Sequence, residues 1–433
     1  MRKLQLFAVA GAPILHSLSP DMFNAAFAHE RIPAAYIRLH CSDAESTLQT
    51  VQQMGLMGLN ATSPLKESLV PDMDSLSREA QAIGAVNVVK KKGRHWRGFN
   101  TDAEGVVGPL RNAGIVLEDA RVVVLGGGGA AKAAAFGLKQ VGARVTISNR
   151  SASKARNISR DFGCVWTPLN QTGLRKFLEQ ADALVSTIPS QEAVLPEGLL
   201  PKHLTVMDAV YGLETGISRV AKRRGCHLIS GKEWLLHQGL ASFEVLVGRK
   251  APRPVMEAAL QTIPARVVPK SVSLIGMMGC GKTAVASSLS VLSGWQAVDT
   301  DERVEQNQGQ SVHDIFLEDG EEAFRIWESQ ALRQALATPR RVVSCGGGAV
   351  LSAKNRNALK KTTSVWLWAT PETLSRRVNG SSRPLLQGHP VRNRLKTLLG
   401  ERVAAYAQTA SFVVSTESKS PKKIARMIWN EIH

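Results

Sequence analysis

Gly276-Met277-Met278-Gly279-Cys280-Gly281-Lys282-Thr283 decides the fold of the C-terminal part of this chain. The apolar run Val272-Ser273-Leu274-Ile275 precedes it, and Ala284-Val285-Ala286-Ser287-Ser288-Leu289, which can begin a helix, follows. Strand, glycine loop, Lys-Thr and helix form the layout of a phosphate-binding P-loop. The glycines let successive backbone N–H groups point at an anion, and the helix N-terminus adds a favourable dipole. Gly279, Cys280, Gly281, Lys282 and Thr283 are therefore expected to cradle phosphate groups, with Lys282 on the terminal phosphates and the Thr283 hydroxyl on Mg²⁺. The dipole and Lys282 predict a lowered pKa and a reactive thiol at Cys280; a small buried residue is the competing reading. A separate unit must occupy the residues before this motif.

A second glycine loop lies in the middle of the chain. Gly126-Gly127-Gly128-Gly129-Ala130-Ala131 follows the strand-like Arg121-Val122-Val123-Val124-Leu125 and opens an Ala-rich helix. It fits G-x-G-x-x-A, the Rossmann dinucleotide fingerprint, with Gly126, Gly128, Gly129 and Ala130 at the pyrophosphate. An acidic residue at the next strand end would bind the ribose 2′-hydroxyl of NAD. The run there is Ser148-Asn149-Arg150-Ser151-Ala152-Ser153-Lys154, without Asp or Glu. Asn149, Arg150, Ser151 and Lys154 instead suit a 2′-phosphate, which points to NADP(H).

Short apolar runs alternate with helical patterns along the whole chain, the mark of an α/β fold with largely parallel sheets. Strands are predicted at 6–10, 35–39, 121–125, 144–148, 183–186, 205–209 and 226–229, and helices at 21–29, 44–53 and 255–262. The basic run Lys90-Lys91-Lys92-Gly93-Arg94 reads as a hairpin turn between strands at 85–89 and 95–98. The two prolines in 263–270 mark a linker.

Composition limits the function classes. With 44% hydrophobic residues, each part can bury a core. The net charge of +18 comes from 32 basic against 22 acidic residues in 1–269 and 22 against 14 in 270–433. Charge spread in this way argues against a nucleic-acid binder and suits small anionic substrates. No signal peptide and no transmembrane run are legible. Five scattered cysteines without C-x-x-C suggest a reducing cytoplasm and no zinc site. Nothing specifies an oligomeric state.

Five N-terminal segments, in order, resemble the shikimate dehydrogenase family over residues 1–264. They are Gly11–Pro20 with Ser17-Leu18-Ser19-Pro20, Gly58–Glu67 with Asn60, Thr62 and Lys66, Ala85-Val86-Asn87, Gly98–Asp102, and Gly231–Gly239 with Gln238. Residues 271–433 resemble shikimate kinase. Beyond the P-loop they carry Val298–Asp301, Ile315–Glu328, Ser344–Gly348, Arg383–Leu386 and Arg402–Tyr406. Phe23, Ala61, Val88, Gly212, Trp234, Cys280 and Thr283 depart from the usual family residues.

The resemblance implies a two-domain dehydrogenase followed by a P-loop kinase. Residues 1–103, completed by about 238–264, would form the substrate domain and 104–237 the Rossmann NADP domain. Residues 265–270 would be the linker and 271–433 the kinase. Lys66 would act as proton donor with Asp102 as its partner. Ser17, Ser19, Asn60, Thr62, Asn87, Tyr211 and Gln238 would hold the substrate through neutral hydrogen bonds. In the kinase, Asp301 would accept the substrate hydroxyl proton and Asp299 would sit near Mg²⁺. Arg325 and Arg402 would clamp a carboxylate, and Gly346, Gly347 and Gly348 would approach the substrate. Arg383 would cover the phosphates, and Arg376 would stack on adenine or lie exposed beside Arg377.

The function implied is reduction of 3-dehydroshikimate with NADPH, followed by phosphorylation of shikimate with ATP, in the cytoplasm. The partners are small molecules, with no nucleic acid and no membrane. The rivals are an NAD-linked quinate/shikimate dehydrogenase fused to the same kinase, a regulatory protein with one dead half, and a nucleic-acid binder. The linker spans at most ~28 Å when extended, so the two halves are expected to be separable neighbours without a tunnel between them.

Overall fold

The computed structural model describes residues 4–262, 270–378 and 384–433. The expected linker, apart from Lys270, and the expected lid residue Arg383 lie outside the described residues. Two compact units are present. One is drawn from Met1–Pro20, Pro33–Leu56 and Val267–His433, the other from Asp21–Ile32 and Met57–Arg266.

The first unit is built on a parallel sheet. Its strands run in the order Gln296–Asp299, Arg341–Ser344, Val272–Ile275, Thr363–Trp368, Phe412–Ser415, Ala34–His40 and Gln5–Gly11. Val272–Ile275, Thr363–Trp368 and Phe412–Ser415 are buried along their whole length, as continuous apolar strands are when helices cover both faces. The P-loop leaves the carboxyl end of Val272–Ile275 and enters the helix Lys282–Ser293. Gly276 has φ +144°, and a Cβ there would run into the Leu367 carbonyl, so the loop can turn only on glycine. The Trp366 ring stacks on Tyr406 at 5.3 Å and ties the sheet to the helix Val391–Thr409. This unit also contains two strands from the N-terminal segment, Gln5–Gly11 and Ala34–His40.

The second unit holds two groups of strands. Gly58–Ala61, Val88–Lys92, His95–Phe99 and Ser75–Leu76 lie side by side in that order. The hairpin is present, but its turn is only Gly93-Arg94, and Lys90, Lys91 and Lys92 are strand. A two-residue turn suffices because Gly93 takes φ +64°. The lysines are accommodated along the strand: Lys90 Nζ donates to the Val245 carbonyl at 2.6 Å, and Lys91 Nζ lies 5.2 Å from the Trp96 ring centre.

The second sheet of this unit is parallel. Its order is His227–Ile229, Thr205–Asp208, Ala183–Ser186, Arg121–Leu125, Arg144–Asn149 and Val165–Pro168. The chain reverses direction of growth at Arg121–Leu125 and Ala183–Ser186, the switch point at which such sheets bind dinucleotides. The glycine loop and the helix Gly129–Gln140 begin there.

Phe23 and Phe27, on the helix Ser19–His29, meet Phe243 with ring centres 5.8 and 5.9 Å away. All three are buried, so Phe23 serves this core. Phe243→Ala should destabilise the unit by about 3–5 kcal/mol, the cost of an aromatic cavity. The expected result is a clearly lower urea midpoint by circular dichroism; an unchanged midpoint would contradict the packing.

Candidate active sites

In the second unit, Lys66 sits on the short helix Leu65–Ser68, after the strand Gly58–Ala61, and Asp102 opens the helix Asp102–Asn112. Lys66 Nζ lies 2.6 Å from Asp102 Oδ2. Asp102 is buried, and the Lys66 side chain retains 24% exposure, enough to meet a ligand. The other carboxylate oxygen accepts Asn87 Nδ2 at 3.0 Å, and the Asp102 N–H donates to Asn100 Oδ1 at 3.0 Å.

Neutral amides and hydroxyls surround this pair. Asn87 Nδ2 is 2.9 Å from Thr101 Oγ1 and 3.4 Å from Gln238 Oε1. Asn60 Nδ2 donates to Ser242 Oγ at 2.9 Å and to the Asn87 carbonyl at 3.2 Å. Ser242 Oγ also meets Thr101 Oγ1 at 2.9 Å. Asn100 and Thr101 fall inside the Gly98–Asp102 segment, whereas Ser242 lies outside every segment named from the sequence. Ser242 lies four residues after Gln238 on the helix Gly231–Val247, a spacing that puts both on one face and was available to find it. Thr62 is half-buried, and its carbonyl accepts the Leu65 N–H at 2.8 Å. Tyr211, half-buried, follows the strand Thr205–Asp208.

Ser17 and Ser19 belong to the first unit; Ser17 lies between the strand Gln5–Gly11 and the helix Ser19–His29, which Ser19 opens. Both are buried; the Ser19 N–H donates to Ser17 Oγ at 3.4 Å.

At the Rossmann loop, a Cβ on Gly127 would come within 2.5 Å of Asn149 Nδ2 and 3.1 Å of Lys154 Cβ. Those two side chains therefore close over the loop. The space beside Gly128 and Gly129 is open, and Ala130 stands in the first turn of the helix. Asn149 Nδ2 donates to the Ser151 carbonyl at 3.2 Å, and Arg150 and Lys154 are exposed next to it. The open glycine loop with two exposed cations beside it fits a phosphorylated dinucleotide.

The kinase-type site surrounds a cavity of about 340 Å³, lined among others by Lys282, Asp301, Arg325, Glu328, Gly346 and Arg402. Lys282 Nζ donates to the carbonyls of Gly276 and Met277, both at 3.1 Å. Thr283 Oγ1 and Ser344 Oγ each donate to Asp299 Oδ2 at 2.8 Å. Asp299 Oδ1 caps the next helix by accepting the Asp301 N–H at 3.0 Å. Hard oxygen donors from Thr283 and Asp299 beside a phosphate loop fit Mg²⁺, which takes few protein ligands and completes its shell with phosphate and water.

Burial, then Glu328, then Asp299 pushes Asp301 up to about 7. Burial also raises Glu328, against the pull of Arg325 at 2.9 Å. Asp301 Oδ1, Glu328 Oε1 and Arg402 Nε are buried without a hydrogen-bond partner among the described residues. Arg325 is braced by Glu321 at 2.7 Å, and Arg402 Nη1 donates to the Gly347 carbonyl at 3.2 Å. Tyr406 Oη donates to the same carbonyl at 2.6 Å.

Two expectations change. The Gly346 N–H is already used, donating to Thr300 Oγ1 at 2.9 Å. Glycine is needed at 346 because a methyl there would overlap Glu328 Oε1 and lie 2.6 Å from Asp301 Oδ1. Gly348 meets the Arg325 guanidinium in the same way. Cys280 is 1% exposed, and burial raises its thiol pKa against the weaker pull of Lys282; it is a packed residue, and desolvation overrides the dipole. Arg376 is exposed and donates to Thr373 Oγ1 at 3.1 Å. Its neighbour Arg377 is the one that reaches the P-loop side, 3.0 Å from Thr416 Oγ1 and 3.5 Å from the Gly279 carbonyl.

A lysine–carboxylate pair in an amide-lined site, a dinucleotide loop and a separate P-loop centre define two catalytic modules in one chain. The shikimate dehydrogenase substrate binding domain matches residues 9–89, shikimate / quinate 5-dehydrogenase matches 111–207, and shikimate kinase matches 278–433. The shikimate dehydrogenase (NADP(+)) of Syntrophobacter fumaroxidans is 36% identical over 269 residues, covering 60% of this chain and 93% of that protein. The Thermococcus kodakarensis shikimate dehydrogenase (NADP(+)) is 37% identical over 263 residues, covering 59% and 95%. Among solved structures, the Aquifex aeolicus shikimate dehydrogenase has a TM-score of 0.57 at 29% identity, covering 60% of this chain and 98% of that one. The Thermus thermophilus shikimate 5-dehydrogenase in complex with NADP(H) and shikimate has a TM-score of 0.54 at 34% identity, covering 59% and 98%.

The chain belongs to the shikimate dehydrogenase family and carries a shikimate kinase domain behind the dehydrogenase. It is a bifunctional enzyme of the shikimate pathway. No helix among the described residues is long and apolar enough to cross a membrane.

If Asp301 is the proton acceptor that the resemblance implies, standing near 7 it would be protonated and unable to accept a proton below that pH. Kinase kcat/KM should therefore fall as pH drops through about 7, and Asp301→Asn should lose both the activity and this limb of the profile. A flat profile from pH 6 to about pH 8 in the unmutated enzyme would contradict the role.

Proposed function

We propose that the dehydrogenase segment reduces 3-dehydroshikimate to shikimate with NADPH, and that residues 271–433 phosphorylate shikimate at its 3-hydroxyl with ATP. The observation that carries this reading is the Lys66–Asp102 pair at 2.6 Å, set among neutral donors. Bound NADPH would supply the hydride. Lys66 would give a proton to the ketone oxygen as negative charge develops there, and Asp102 would keep the ammonium aimed at it. Asn87 holds Asp102 through Oδ1, which leaves Oδ2 for Lys66. Asn60, Thr62, Asn87, Tyr211 and Gln238, with Ser17 and Ser19, would recognise hydroxyls and the carboxylate. A site of neutral donors and acceptors discriminates an OH from its absence strongly. Gly126, Gly128, Gly129 and Ala130 would receive the pyrophosphate, and Asn149, Arg150, Ser151 and Lys154 the 2′-phosphate. Relatives named as NADP(+) enzymes support that cofactor.

In the kinase, Arg325 and Arg402 would fix the substrate carboxylate, so that the 3-hydroxyl meets Asp301. A carboxylate near 7 is suited to take that proton at neutral pH. Lys282 would balance phosphate charge, assisted by backbone N–H groups of Gly279, Cys280 and Gly281. Mg²⁺ held at Thr283 and Asp299 would neutralise charge on the transferred group.

Two experiments test the reading. Lys66→Ala should lower reductase kcat by about 10²-fold or more, the scale of a lost general acid, while kinase activity on added shikimate stays intact. Near-normal reduction would remove Lys66 from the mechanism. The unmutated enzyme should prefer NADP to NAD strongly, and Arg150→Ala should abolish that preference. Equal efficiency with both cofactors would favour the NAD-linked alternative.

A further inference from the structure

In the first unit, the last turn of the helix Pro421–Ile432 carries Glu431, which is 2% exposed. The Ile14 N–H donates to Glu431 Oε1 and Oε2, both at 2.9 Å, and the Leu15 N–H donates to Oε2 at 2.9 Å. His40 Nδ1 lies 2.6 Å from Oε1. Burial would raise this carboxyl, but the bonds from His40, Leu15 and Ile14 hold it below its usual range, so it stands as an ion and His40 donates. Buried, ionised and bonded to successive backbone N–H groups, it is an anchor on which one loop is folded.

That loop is the Gly11–Pro20 segment that carries Ser17 and Ser19. The Ser17 N–H closes back on the Ile14 carbonyl at 3.0 Å, so holding Ile14 also sets the position of Ser17. A second link runs alongside. Arg38 Nε donates to the Ser17 carbonyl at 2.7 Å, and Arg38 Nη1 donates to the Ser411 carbonyl at 3.5 Å. Ser411 immediately precedes the strand Phe412–Ser415, which lies parallel to Ala34–His40 with Val413 opposite Leu39. Glu431 and Ser411 both belong to the segment matched as shikimate kinase. The Syntrophobacter relative is matched over 93% of its length within 60% of this chain, so the anchor comes from outside the dehydrogenase segment.

We propose that Glu431 is a positioning residue for the dehydrogenase reaction. Through the N–H groups of Ile14 and Leu15, the end of the kinase segment sets the shape in which Ser17 and Ser19 receive the substrate carboxylate. This rests on the reading of Ser17 and Ser19 as substrate-binding groups. Small misplacement of such groups costs affinity steeply, so the kinase segment contributes to substrate capture by the dehydrogenase without touching the substrate.

The test uses the full chain with Glu431→Ala, Glu431→Gln and, as a control on the loop, Ser17→Ala. Glu431→Ala should raise KM for 3-dehydroshikimate roughly tenfold, with kcat within about twofold, the pattern of lost uniform binding. KM for NADPH and both kinase parameters should not change. Glu431→Gln, which can still accept from one N–H, should give a smaller rise. If Ser17→Ala raises KM and neither Glu431 variant does, the proposal is overturned and the reading of the loop survives. If none of the three changes KM, that reading fails and the proposal with it. If both Glu431 variants lose reductase and kinase activity together, the carboxylate supports the whole unit, and a specific positioning role is overturned.

Discussion

A buried carboxylate must be given donors or a proton, and that constraint organises both catalytic centres. Ionised, desolvated carboxylates are costly unless hydrogen-bonded. The Asp102 carboxylate receives Lys66 on Oδ2 and Asn87 on Oδ1, while its own N–H donates to Asn100. That service fixes the segments around 60, 87, 100 and 238 relative to one another. Asp208, at the carboxyl end of its strand, is met in the same way by Thr215, Ser218 and the Val210 N–H. Asp301 and Glu328 are under-served, each with one oxygen bare. The result is a raised pKa at Asp301 and a site that waits for a partner.

Glycine placement follows from the same charges. Gly346 and Gly348 leave room for Glu328, Asp301 and Arg325 to crowd the backbone. Charged groups of both signs therefore face the cavity, beside the apolar side chains of Met278, Phe316 and Phe324.

Much of this was legible in the chain itself. The strands 121–125, 183–186 and 272–275 are where their apolar runs place them, because buried parallel strands write themselves as short apolar blocks. The bringing together of Lys66 and Asp102 followed from family resemblance, since no local period links residues 36 apart. Three things were hidden. Cys280 looked activated because dipole and charge are readable from a motif, whereas burial depends on what packs over it. Lys90 to Lys92 read as a turn by their charge, whereas the two-residue turn that Gly93 permits lets all three pair as strand. Glu431 gave no signal, because its partners Ile14, Leu15 and His40 lie about four hundred residues away.

In the proposed function, one chain runs a reduction whose product is the substrate of its own phosphoryl transfer. The most direct measurement supplies 3-dehydroshikimate, NADPH, ATP and Mg²⁺ to the intact protein and follows NADPH loss and ADP release together. The account predicts that ADP release requires both 3-dehydroshikimate and NADPH and approaches one ADP per NADPH consumed. NADPH loss without ADP release, or ADP release that does not depend on NADPH, would contradict it.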